Sequence, residues 1–166
     1  HYDRARVDEL LSKLQSIPEM TLRTSLITGL PGEDEAAFAS LLAFVKEGHF
    51  QHLGAFAYSP EEGTRAFHDA DRVDAAEAEA RRKAIFEAQQ MIAFEWLDRR
   101  LGNEADVLID HQSPEGWGIG RSAAEAPEVD GTIRIQGENF YPGEIIRACL
   151  DQRDGYDLVA SPVVWK

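Results

Sequence analysis

Up to Leu101 the apolar residues recur every three or four positions, broken by short β-branched runs; after Gly102 they alternate every second position. Residues 7–16 place Val7, Leu10, Leu11 and Leu14 on one helical face, and Ile17-Pro18 stops that helix. Residues 21–28, TLRTSLIT, read as a strand, and Gly29-Leu30-Pro31-Gly32 as a turn. Asp34 is placed to cap a second helix over 35–47, with Phe38, Leu41, Leu42 and Val45 on one face and Gly48 at its end. Residues 52–59, HLGAFAYS, predict a second strand, and residues 60–64 a loop.

Strand, helix, strand in this order is a βαβ unit, which implies parallel strands and a right-handed crossover. Both strands are short and apolar, as expected when both faces and the free edge of a sheet are covered by neighbours. From Asp74 to about Leu101 the chain is rich in Ala, Glu, Arg and Gln and lacks Gly and Pro, which predicts one long helix ended by Gly102. Residues 1–101 and 102–166 are therefore expected to form separate units, joined by that helix.

In the second unit, residues 105–110, 117–121, 132–135, 144–148 and 156–160 read as five short strands separated by Gly- and Pro-containing turns. Five such strands predict a small antiparallel barrel of OB-like type. Gly116, Gly118 and Gly120 fall within a strand pattern with no helix following, so they are not a phosphate loop.

Charge and cysteine content narrow the chemistry. Seventeen basic against 30 acidic residues leave a net charge of −13, which repels phosphate backbones and favours a neutral or basic partner. The region 102–166 holds 12 acidic and 5 basic residues, or −7. Cys149 is the single cysteine, so these 166 residues can form no internal disulfide and cannot hold a cluster on Cys thiolates. No metal-ligand spacing is present: His49 and His52 straddle a helix end and a strand start, and His1, His68 and His111 have no partners nearby in sequence. Glu61-Glu62 reads as a solvated turn. The longest apolar runs are far short of a membrane span, and the polar start carries no secretory pattern, so the chain reads as cytoplasmic with no membrane contact.

The run Arg23-Thr24-Ser25-Leu26-Ile27-Thr28-Gly29-Leu30-Pro31-Gly32-Glu33 resembles the fifth barrel strand of radical-SAM methylthiotransferases, the RimO and MiaB families. Phe56-Ala57-Tyr58-Ser59-Pro60-Glu61-Glu62-Gly63-Thr64 resembles their sixth strand and its loop, and the β-region resembles their TRAM domain. Glu61-Glu62, the segment from Gly120 to Gly131 and the ending Tyr156-Asp157-Leu158-Val159 are closer to the RimO pattern than to the tRNA-modifying one.

The resemblance implies an α/β fragment, the C-terminal βαβ part of a radical-SAM partial barrel, followed by an all-β OB-like TRAM barrel. It implies an intact parent that methylthiolates an aspartate of a small-subunit ribosomal protein, using S-adenosylmethionine and two [4Fe-4S] clusters. The cluster-binding cysteines are absent here, so the chain reads as a truncated form. No catalytic residue, bound metal or cofactor is expected on this chain alone, which should be inactive. By the same resemblance Ile27, Thr28, Gly29, Tyr58 and Ser59 line the adenine side of the cofactor pocket, at the strand ends where β/α barrels bind ligands. The acidic patch of Glu125, Glu128 and Asp130 is expected to be exposed and to contact a basic ribosomal protein, with tRNA disfavoured by charge. The alternatives are a tRNA methylthiotransferase of the MiaB kind and a non-catalytic TRAM adaptor.

Overall fold

The computed structural model describes residues 3–163. It divides into two compact units, His1–Ile92 and Ala93–Lys166.

The first unit begins with α1 (Arg4–Gln15), three residues longer at its start than the periodicity predicts, because Asp3 accepts a hydrogen bond from Arg6 N at 2.9 Å and caps it. Strand β1 (Arg23–Thr28), helix α2 (Glu35–Lys46) and strand β2 (His52–Ala57) follow. Asp34 caps α2 through Ala37 N at 2.7 Å, as its position predicts. The strands pair in parallel, from Arg23 opposite His52 to Thr28 opposite Ala57. A short 3-10 turn, Arg65–His68, precedes the long helix α3 (Ala75–Arg100).

One face of this sheet is packed and the other is open. Leu53 and Ala55 are buried with Val45 of α2 and Ile85 of α3, and Leu26, Leu41, Leu42 and Ile92 pack around them. The pleat sends alternate residues the other way. There, Ile27 is 52% exposed and its register partner Phe56 57% exposed. Among the described residues the helices cover one face, and the other still lacks the neighbour that its apolar residues call for. Among the described residues β1 and β2 pair only with each other.

The second unit holds strands β3 (Glu104–Gln112), β4 (Trp117–Arg121), β5 (Ile133–Gln136), β6 (Ile145–Asp154) and β7 (Asp157–Pro162). They close into a barrel in the order β3-β4-β5-β7-β6. Four pairings are antiparallel and β5-β7 is parallel, which corrects the all-antiparallel expectation. The inward residues Val107, Ile109, Ile133, Ile135, Ala148, Leu150, Leu158 and Ala160 form the core. Leu97 joins it, so the last turns of α3 pack with the barrel and the boundary between the units falls inside that helix, before residue 101.

Gly118 and Gly120 face inward, and a Cβ at Gly120 would lie 2.3 Å from the Leu108 carbonyl oxygen. Close packing, rather than anion binding, requires them.

Candidate functional sites

The strand ends of the first unit converge on a carboxylate that sequence reasoning did not single out. Glu33, just beyond the β1–α2 turn, uses Oε1 to accept from Thr28 Oγ1 (2.9 Å), Gly29 N (2.9 Å) and Arg81 Nη1 (2.8 Å). Arg81 also donates to the Glu33 carbonyl at 2.9 Å and to Glu77 Oε1 at 2.9 Å, and its guanidinium lies over the Phe38 ring. Both side chains of the central pair are nearly enclosed. Burial pushes the Glu33 carboxyl up, but the hydrogen bonds from Arg81, Gly29 and Thr28 outweigh it and hold it below the usual carboxylate range. The Arg81 guanidinium is shifted up by its bonds to Glu33 and Glu77. An ionised carboxylate whose Oε1 is engaged by three donors is an anchor that ties the end of β1 to α3.

The five residues expected at the cofactor pocket divide on this geometry. Ile27 lies on the open face of the sheet beside Phe56. Thr28 is fully buried on the packed face; its hydroxyl is spent on Glu33 and its carbonyl accepts from Tyr58 N at 2.9 Å. Gly29 has φ +81°, and a Cβ there would sit 2.4 Å from Ala78 Cβ of α3. Helix packing therefore demands a glycine here whether or not a ligand approaches it. Tyr58 is half-buried, with its hydroxyl enclosed and lacking a partner among the described residues, and Ser59 is exposed.

The acidic patch of the second unit is corrected in one member. Glu125 is buried: its carboxylate pairs with Arg100 and accepts from Ser122 N at 2.9 Å and Ser122 Oγ at 2.6 Å. The turn folds back on itself to satisfy the end of α3, so the carboxylate points inward. Arg100 in turn lies over the Trp96 ring, 4.6 Å from its centroid. Asp130 is half-buried and accepts from Ala126 N at 2.7 Å. Glu128 is exposed at φ +63°, beside the exposed Val129.

The barrel arginines do not form a basic stripe. Arg147 contacts Glu104 and Asp106 at 3.1 Å each, Arg153 contacts Asp98 at 2.6 Å, Arg121 contacts Asp110 at 3.3 Å, and Arg134 pairs with Asp154. Among the described residues no cluster of three or more His, Cys, Asp or Glu is placed to hold a metal, and no helix is long and apolar enough to cross a membrane.

A closed five-stranded barrel with this core defines the class of the second unit, and residues 101–163 match the TRAM domain family. The resemblance to RimO-type methylthiotransferases holds over nearly the whole chain. The ribosomal protein uS12 methylthiotransferase RimO of Synechococcus sp. (strain CC9605) is 42% identical over 157 residues, 91% of this chain and 34% of that protein. That of Citrobacter koseri is 42% identical over 162 residues, 95% of this chain and 36% of the relative; that of Salmonella arizonae is 41% identical over the same length. The chain thus spans about a third of the length of the curated relatives it matches.

Proposed function

We propose that these residues correspond to the C-terminal region of a radical-SAM methylthiotransferase whose substrate is an aspartate of ribosomal protein uS12, working in the cytoplasm. The observation that carries this reading is the similarity to RimO proteins at 42% identity across more than nine-tenths of the chain, which takes in both units. On this reading the open face of β1-β2, with Ile27 and Phe56, forms part of the barrel interior, and the strand-end residues Gly29, Tyr58 and Ser59 wall the S-adenosylmethionine pocket. The residues present fit a wall and nothing more. They offer one apolar face and enclosed polar groups, but one cysteine in 166 residues cannot chelate an iron–sulfur cluster, which must be held elsewhere in the enzyme.

The TRAM barrel is the docking domain for the basic ribosomal protein. Four barrel arginines neutralised by carboxylates leave little to attract a phosphate backbone, whereas the excess acid attracts a cationic partner. Glu128 and Val129, exposed side by side, are the contact favoured within the 122–131 segment. The test is a titration of the chain with purified uS12 and with bulk tRNA at low and moderate salt. Binding of uS12 that weakens with salt, with tRNA inert, is the expected result. Tight tRNA binding that strengthens as salt falls would overturn the reading in favour of a tRNA-modifying relative.

A further inference from the structure

The outer face of β4-β5 has the makings of a nucleic-acid site. The pleat turns Gly118, Gly120, Ile133 and Ile135 into the core, so Trp117, Ile119, Arg121, Arg134 and Gln136 face outward. Ile119 is opposite Arg134 and Trp117 opposite Gln136. Arg134 is therefore the diagonal neighbour of both Arg121 and Trp117, about 7–8 Å away along the sheet. Two guanidinium groups on either side of Ile119, with the half-buried indole of Trp117 beside Arg134, offer what a single strand needs: phosphate charge compensation and an aromatic surface.

Each arginine is met by a carboxylate from a different strand. Asp110 is the extra residue of a bulge in β3: Ile109 is opposite Gly120 and His111 opposite Ile119, leaving Asp110 unpaired in the ladder. A bulge re-aims the side chain it carries, and this one brings Asp110 Oδ1 to 3.3 Å from Arg121 Nε. Asp154, at the end of β6, reaches across β7 to Arg134. The Nε atoms of both arginines are enclosed and make no hydrogen bond, Asp110 meeting Arg121 as an ion pair only, so the guanidinium groups lie down on the barrel, not out towards solvent.

We infer that Asp110 and Asp154 are specificity determinants of the barrel: they occupy Arg121 and Arg134 and so exclude RNA from a face whose other residues would accept it. This rests on the reading of the barrel as a protein-docking domain, and explains how that domain rejects the RNA that surrounds a ribosomal substrate. The stability of exposed pairs such as these is small. Their effect is on the local field, which governs a contact within a Debye length of about 8–10 Å.

The experiment compares the 166-residue chain with D110N/D154N, using a fluorescein-labelled oligouridine RNA of about 15 nucleotides. Anisotropy titrations are run between low and moderate salt. The unsubstituted chain should show no binding that strengthens as salt falls. The double variant should bind at least about tenfold more tightly at low salt, with a log–log salt slope of about −1.4, the value for two phosphates neutralised on a single strand. Adding R121A/R134A should abolish the gain. A folded double variant that binds RNA no better than the parent overturns the inference. The single variant D154N, altering a carboxylate 66% exposed, removes any ambiguity about folding and should give about half the slope. If the unsubstituted chain itself binds the RNA tightly, it is the protein-docking reading that has failed.

Discussion

Glu125 and Arg100 form an ion pair in which the carboxylate side chain is only 4% exposed, with the backbone and hydroxyl of Ser122 completing its hydrogen bonds. The pair fastens the segment after β4 to the end of α3, within the barrel unit. Removing one partner of an enclosed pair leaves the other charge uncompensated, at a cost of about 3–5 kcal/mol. Glu125→Lys should therefore lower the urea midpoint of the barrel strongly. Glu128→Lys, at an exposed site, should change it by less than about 0.5 kcal/mol. Equal effects of the two substitutions would show that the pair does not hold the segment.

Gly29 makes a second, steric prediction. Gly29→Ala adds a Cβ 2.4 Å from that of Ala78 at a backbone φ of +81°, so both overpacking and conformational strain apply. The expected loss is about 2–4 kcal/mol in denaturant unfolding. Ala78→Gly in the same chain should restore the part due to the clash and leave about 2 kcal/mol, the sum of backbone strain at position 29 and of a glycine inside α3. No rescue would mean that the helix is not what demands the glycine.

The Glu33 anchor predicts a pH dependence. Its carboxyl is held below the usual range in the folded chain, so the unfolded state binds the proton more readily. The stability it contributes is fully present above the unfolded carboxyl pKa of about 4.3 and is lost as pH falls through the depressed folded value. Glu33→Gln should flatten the acid limb of the first unit's stability against pH in that window, with no change in slope near neutrality. An unaltered acid limb would sink the assignment.

The open face of β1-β2 predicts a contrast. Ile27→Ser with Phe56→Ser removes two side chains more than half exposed, and should cost this chain less than about 1 kcal/mol. Leu53→Ala, on the packed face, should cost about 2–4 kcal/mol. Chemical denaturation of the three proteins separates the faces.

The caps, the βαβ order and the switch from helical to alternating spacing were legible in the chain because each is a local pattern. Asp34 before a helical stripe and Gly48 after it need no tertiary knowledge. What was not legible depends on distant partners. Glu33 and Arg81 are 48 positions apart, and nothing in their spacing announces a bond. Glu125 looks like any turn-flanking acid until Arg100 is brought to it. The parallel β5-β7 pairing was hidden for the same reason: alternation marks a strand but not its neighbour.

That parallel pairing has a consequence for the order of assembly. Strand β7 is hydrogen-bonded to β5 on one side and β6 on the other, and it follows both of them in sequence. Strands β3, β4 and β5 can form a meander as they emerge, and β6 can return to β3, but the cylinder has an unzipped seam until β7 fills it. During synthesis the nascent chain therefore carries two unsatisfied sheet edges, at β5 and β6, until β7 is released. Ile133 pairs with Leu158 far along the chain, a non-local contact of the kind that slows folding. A nascent chain stalled before Asp157 would expose the core side chains of Ile133, Ile135 and Leu150, and would be a target for chaperones and proteases rather than a partly working domain.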